Sequence, residues 1–384
     1  MNAIERVRAA FDHREPDRVP IVEQAISSDV ASRILGRQAY TGSTSLWRDE
    51  AEAWLRGDAA HDEFVRQVEE DIFDIYTALD LDVIMLPWRR PTRPTRKLDE
   101  HAYLYGDPDG DYFEIMRYDP VSDACGIEKH WRQPPRAEDI PRQVAAARAA
   151  FDKRAKPTEA SFAPRVRLRE RAGDRFDVFG GSGIAVPMVP HWLEAVALYP
   201  EAIADHLDML AELNIDHFEV LARLGFKIIW GGGDFASNHG PVYSPAAFRR
   251  LMLPALKKMT SACDRLGLKY LFRTDGNLWP IAQDFFVGSG IHGYGEIDVD
   301  AGMDLRAIKE RFPHLTLCGG LSCGKLLRLG TPEQVRAETL DILDKVGRGG
   351  GLLLGSSNIL LQGTPVENVF AYIETAKAFG RRAP

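Results

Sequence analysis

Three polar residues alternate after a short apolar run in LKYLFRTDGNL, residues 268–278: Arg273, Asp275 and Asn277. On an extended chain alternate residues share a side, so the three converge on one ligand. Arg273 brings a planar fork of donors suited to a carboxylate, and Asp275 either orients that fork or moves a proton. Read alone, an Arg-x-Asp pair serves a structural ion pair as readily as a site. Asp234 follows three glycines, with Asn238 and His239 just beyond it, and Glu296 ends an apolar segment ahead of Asp298 and Asp300. A glutamate in a partly dry cleft has its pKa pushed upward, into the range for acid–base work near neutrality. The expected chemistry is proton transfer by Asp275, Glu296 and Asp234. The expected substrate-binding residues are Arg273, Arg89, Trp88, Asn277, His239 and Asn358.

These residues share one design, an apolar run that empties into Gly, Pro or charge. Eight segments have it, near residues 19–22, 81–86, 176–181, 226–234, 268–274, 291–298, 315–320 and 351–358. Most are separated by helical periodicity, including Trp192 to Leu224 restarted at Pro200, and Pro245 to Leu266 bent at Pro254. Alternation of strand and helix with polar strand ends predicts a (β/α)8 TIM barrel whose chemistry sits at the C-terminal ends of the strands. A doubly wound open sheet is the competing architecture. The expectation is a single domain over residues 1–384, with a long insertion after the second strand, about 90–175, covering the cleft. In that insertion YLYGDPDGDYFEIMRY, 103–118, reads as a hairpin around an Asp-Pro-Asp-Gly-Asp turn. A helix near Ile140 to Lys153 and the basic PRVRLRER, 164–171, follow it.

Composition narrows the function classes. With 48 basic and 56 acidic residues the formal net charge is -8, which excludes a general affinity for nucleic acid. No apolar run reaches the ~20 residues that span a bilayer, and the amphipathic start MNAIERVRAAF lacks a secretory apolar region, so a cytoplasmic protein without membrane contact is expected. Four scattered cysteines support neither a disulfide framework nor a structural zinc site. Cys318, after an apolar triplet, reads as core rather than nucleophile. The GGG before Asp234 lacks the GxGxxG spacing of a dinucleotide fold.

Four stretches together resemble the uroporphyrinogen decarboxylase superfamily, which includes corrinoid-linked methyltransferases. They are ERVRAAFDHREPDRVPI at 5–21, GGDFASNHGPVYSPAAFRRLMLPALKKM at 232–259, AGMDLRAIKERFP at 301–313 and TPVENVFAYIETAKAFG at 364–380. The resemblance implies a (β/α)8 barrel, commonly a homodimer, with a central cleft at the strand ends. The departures also matter. Where the porphyrinogen-binding members resemble each other, in an arginine-rich segment and an aspartate after the second strand, this chain has EQAISSD at 23–29 and Pro87-Trp88. Ser356 or Ser357 falls where their late histidine would be. Thiol-methylating relatives hold zinc on a His-x-Cys pair and a late Cys. Arg273, Asp275 and one of Ser356 or Ser357 occupy the matching positions, so neither zinc nor another cofactor is expected; the alternative is a hard metal held by Asp275, Glu296 and waters.

Three functions fit this reading. The first is a metal-independent lyase or decarboxylase acting on a small or aromatic carboxylate other than uroporphyrinogen. Arg273 and the Arg89-Arg90 rim would clamp the anion. The second is a methyltransferase moving a methyl group from an ether or amine donor to a corrinoid protein, its partner. The third is a non-catalytic ligand-binding barrel, disfavoured by charged residues at several strand tips.

Overall fold

The computed structural model describes residues 1–380; the last four residues of the expected domain, 381–384, lie outside the described residues. Six parallel strands form its centre, in the order Leu352–Ser356, Thr316–Leu321, Gly293–Gly295, Lys269–Arg273, Ile228–Gly232 and Gly180–Gly181. Their interiors are continuous apolar runs, as expected where both faces of a parallel sheet are covered. Tyr270, Leu271 and Phe272 are fully buried, and Phe272 meets Phe235 and Phe285 edge to face.

Backbone pairing continues beyond both edges of this sheet. Val22 N donates to Leu354 O at 2.8 Å and Leu354 N to Pro20 O at 2.8 Å, so segment 20–22 lies parallel to the strand Leu352–Ser356. Asp82 N donates to Ile21 O, and Ile84 N to Asp177 O, which leads through segment 82–84 to the residues just before Gly180. All eight sequence segments are therefore hydrogen-bonded in chain order. One apolar core runs from Val7 to Ala376.

Helices follow the strands as their periodicity dictates. Leu253–Leu266 buries Leu253, Leu256, Met259, Thr260 and Cys263 on one stripe and ends at Gly267, whose φ of 67° suits glycine. Helical backbone runs unbroken from Pro245 to Leu266, and just ahead of Pro254 it loosens into a π-type turn at Phe248–Met252, which accommodates the proline's missing N–H. The helices Pro190–Leu198 and Pro200–Arg223 break at Pro200 as expected. A helix at Ser45–Leu55, which the sequence reading passes over, precedes Asp58–Leu79.

The segment after Pro87 contains the expected hairpin, Ala102–Gly106 with Tyr112–Asp119, turned at Asp107 to Gly110. Arg96–Asp99 and Ala124–Trp131 flank it to make a four-stranded antiparallel sheet. Every residue of Arg96–Asp99 is exposed and Ala124–Trp131 has no buried residue, so neither carries an apolar signal. Tyr103, Tyr105 and Met116 form a small core with Ala51 of the helix Ser45–Leu55.

The opposite ends of the strands are locked by charge. Asp82, only 1% exposed, accepts from Arg6 Nη1 at 2.5 Å, from Arg18 Nη1 at 2.5 Å and from Ile21 N at 2.7 Å. Both arginines come from the ERVRAAFDHREPDRVPI stretch, which thereby has a structural reason. Asp82→Ala would leave Arg18 without its main anion and the buried Arg6 with Asp17 alone, and breaking a buried pair costs ~3–5 kcal/mol. Urea unfolding should show a loss of that order; a change below about 0.5 kcal/mol, typical of an exposed site, would refute the lock.

Candidate active site

The C-terminal strand ends gather an acidic cluster. Parallel pairing places Gly295 beside Arg273, so Glu296 emerges next to that arginine. Arg273 Nη1 donates to both Glu296 oxygens, at 3.1 and 3.3 Å. Gln24 Nε2 also donates to Glu296 Oε1 and reaches Asn358 Oδ1 at 3.3 Å. Asn358 Nδ2 in turn donates to Asp275 Oδ2 at 2.8 Å. Oxygens of Asp234, Asp275 and Glu296 lie within 4.8 Å of one another.

Glu296 is buried at 4% exposure and has φ of 57°, a left-handed conformation that costs a non-glycine residue about 1 kcal/mol or more. Holding it there turns the carboxylate into the cluster. Burial pushes its pKa up, while Arg273 and Gln24 oppose that shift by favouring the anion. Asp275 has no arginine on it. Burial, then the negative charges of Glu296, Asp234 and Asp298, raise it to about 7, against the smaller effect of Asn358. Two neighbouring carboxyls thus differ in surroundings: Glu296 has Arg273 and Gln24 favouring its anion against burial, and Asp275, without a guanidinium, is raised to about 7.

The structure brings Asp234, Asp275, Glu296, Arg273 and Asn358 together with Trp88 beside Arg273, and commits Arg89, Asn277 and His239 elsewhere. Arg273 does not wait for a substrate carboxylate, because Glu296 occupies its Nη1; its guanidinium also lies 5.1 Å from the centre of the Trp88 ring. Arg89 is paired with the buried Glu50 and Arg90 with Glu114, so the expected anion rim is already neutralised by the protein. Asn277 caps the turn at Trp279, accepting from its N at 3.0 Å. His239 is exposed at the tip of the small hairpin Ala236–Ser237 and Gly240–Pro241. The glycines before Asp234 serve packing: a methyl group on Gly232 would run into the Arg273 backbone, and one on Gly231 into Tyr270 and Ser182. Cys318 is buried in the core, with its thiol pushed up by burial.

Sequence reasoning missed two neighbours in EQAISSD. Gln24 bridges Glu296 and Asn358, as described. Glu23 is fully buried and accepts from Ser356 N at 2.9 Å, Ser356 Oγ at 2.5 Å and Tyr372 Oη at 2.7 Å; burial raises it to about 7. The signal was available: a Glu-Gln pair immediately after the apolar segment 19–22 has the same layout as the other strand ends.

Residues 177–379 match the family model described as Uroporphyrinogen decarboxylase (URO-D). The chain belongs to the uroporphyrinogen decarboxylase family. Uroporphyrinogen decarboxylases of Coxiella burnetii strains Dugway 5J108-111 and RSA 493 are 25% identical to it over 191 residues. The match takes in 47% of this chain, and the chain spans about half the length, 48%, of those curated relatives. A methyltransferase from Methanosarcina mazei has the same fold, with a TM-score of 0.64 at 18% identity over 99% of each chain. No described helix is long and apolar enough to cross a membrane.

The zinc of the thiol-methylating branch does not fit the donors present in this uroporphyrinogen decarboxylase family member. The cluster contains neither thiolate nor imidazole, Ser356 is engaged with Glu23, and Ser357 Oγ accepts from Cys323 N at 3.1 Å. Elemental analysis of protein purified without chelator should find well below one zinc per chain; about one per chain would overturn the donor argument.

The raised pKa of Asp275 also makes a stability claim. The folded state holds its proton more tightly than the unfolded chain, so the associated stability is fully present below the unfolded value near 4 and is lost as pH rises through about 7. Glu23 and Asp177, raised to about 7 and about 6, contribute in the same window. Asp275→Asn should raise the melting temperature at pH 8 by about 2 °C or more while changing little at pH 4. An equal or lower value at pH 8 would contradict the assignment.

Proposed function

We propose that this chain is an enzyme whose active centre is the mouth bounded by Gln24, Asp275, Glu296 and Asn358, and that it is a lyase of decarboxylase type acting on a small aromatic carboxylate. The eight hydrogen-bonded segments are read as one closed (β/α)8 barrel, with residues 90–175 inserted over the mouth. The observation that carries the function is a half-buried Asp275, raised to about 7, beside a buried Glu296 that is hydrogen-bonded by Arg273 and Gln24.

Such a pair suits general-acid chemistry. Asp275 gives its proton to the ring carbon that bears the carboxylate, and positive charge spreads through the ring. Glu296 offsets that charge from a fixed position, so its stabilisation requires no rearrangement during reaction. The carbon–carbon bond electrons then return to the ring as carbon dioxide departs, and water reprotonates Asp275. Uroporphyrinogen is disfavoured because EQAISSD at 23–29 and Pro87-Trp88 stand where the porphyrinogen-binding members carry their arginine-rich segment and aspartate.

The whole-length likeness to a methyltransferase favours a second reading. Here Asp275 protonates the ether oxygen or amine nitrogen as its methyl group passes to a corrinoid protein. The two readings separate by product: carbon dioxide from ring acids in one case, and a methylcorrinoid spectrum with a methylated donor in the other.

In either reaction Asp275 must hold a proton. With the best substrate from a panel of aromatic acids, kcat should fall as pH rises above about 7. Asp275→Asn should lower kcat by ~10²-fold or more, the usual scale for a general acid, with KM changed far less. Wild-type turnover in that variant, or a profile flat through pH 8, would reject Asp275 as the acid.

A further inference from the structure

The expected arginine clamps are spent on protein carboxylates, but one arginine at the mouth is not. Arg165 belongs to the helix Ala163–Ala172, within the basic PRVRLRER stretch of the insertion. Its Nη1 donates to Phe179 O at 2.9 Å, and among the described residues no carboxylate pairs with it. Burial alone acts on it, and disfavours its charge. A guanidinium withdrawn from water without a counter-ion is costly unless something anionic joins it.

We infer that Arg165 and the cavity beside it form an anchoring subsite for a carboxylate, distinct from the place where Asp275 acts, and that the ligand is a single-ring aromatic acid carrying an O–H or N–H donor. The cavity is about 260 Å3, smaller than the ~300–1,000 Å3 of drug-sized sites, and is bounded by Arg165, Gly181, Gln24, Trp88 and Trp230. Two indoles provide flat walls for a ring. Gly181 leaves the place that the guanidinium occupies, since a methyl group there would collide with it. Gln24 supplies an independent sign of a missing partner. Its Nε2 is committed to Glu296 and Asn358, and its Oε1 is buried with no donor. A hydroxyl or amine on the ring would satisfy that oxygen, while the carboxylate takes the Arg165 fork. Gln24 is the lining residue shared with the acid cluster, so the subsite meets that cluster at its Gln24 wall. The helix Ala163–Ala172 thereby gives the insertion a role in recognition.

This subsite rests on the mouth being the active centre as proposed above, but its test needs no turnover. Isothermal titration with 4-hydroxybenzoate and its neutral analogue 4-hydroxybenzamide compares wild type with Arg165→Gln, Gly181→Ala and Arg167→Gln. Arg167 is exposed on the same helix, and melting temperatures control for folding. Wild type should bind 4-hydroxybenzoate saturably. Arg165→Gln should weaken it ~10–100-fold, the scale of a charge-assisted contact. Gly181→Ala should also weaken it, by displacing the guanidinium while keeping its charge. Arg167→Gln should bind as wild type does, and 4-hydroxybenzamide should be indifferent to Arg165→Gln. Equal affinity in wild type and folded Arg165→Gln, or no saturation by 4-hydroxybenzoate up to about 10 mM, too weak for a specific subsite, overturns the inference. Asp275→Asn should retain this binding. Failure of the acid assignment therefore shows in kinetics alone, and failure of the subsite shows in titration.

Discussion

Three carboxylates converge on the mouth of this fold, and among the described residues one guanidinium, that of Arg273, is hydrogen-bonded to them. Charge in a poorly hydrated place must be paired or removed, and the cluster does both. Glu296 takes Arg273 and the Gln24 amide; Asp275, left with the neutral Asn358, is driven to keep a proton. The division depends on strand register. Gly295 lies opposite Arg273, and a slip by one residue would turn the arginine to the other face and leave Glu296 without its partner.

The two ends of the strands handle charge in opposite ways. At the start of the strands, Asp82 is fully satisfied by Arg6, Arg18 and the Ile21 amide. Nothing there is left to react, and the ensemble holds helix and strands together. At the other end Asp275 is under-neutralised, Arg165 lacks a carboxylate among the described residues and Gln24 Oε1 lacks a donor. Incomplete pairing costs stability and is what a binding site looks like before its ligand arrives.

Much of the fold was legible because apolar runs that end in polar residues survive as a pattern in the chain. The segments 268–274 and 351–358 announced both strands and site residues in this way. Partners were not legible: alternation says that Arg273 and Asp275 share a side, but only the neighbouring strand's register reveals that Glu296 already holds the arginine. Arg89 failed for the same reason, since its counter-ion Glu50 lies on the helix Ser45–Leu55, 39 residues earlier. Arg165 was hidden inside a basic helix that reads as a solvated face. The outer strands of the insertion were invisible because exposed residues such as those of Arg96–Asp99 carry no burial pattern.

The central claim is that burial, and then the carboxylates beside it with Glu296 foremost, keep a proton on Asp275 near neutrality. It is tested most directly by a carbon-13 NMR titration of protein labelled at aspartate carboxyl carbons, with the Asp275 signal assigned by its loss in Asp275→Asn. The account predicts an apparent pKa at about 7, falling toward the ordinary aspartate range when Glu296→Gln removes the adjacent negative charge. A wild-type Asp275 that titrates near the unperturbed value of ~4 would contradict it.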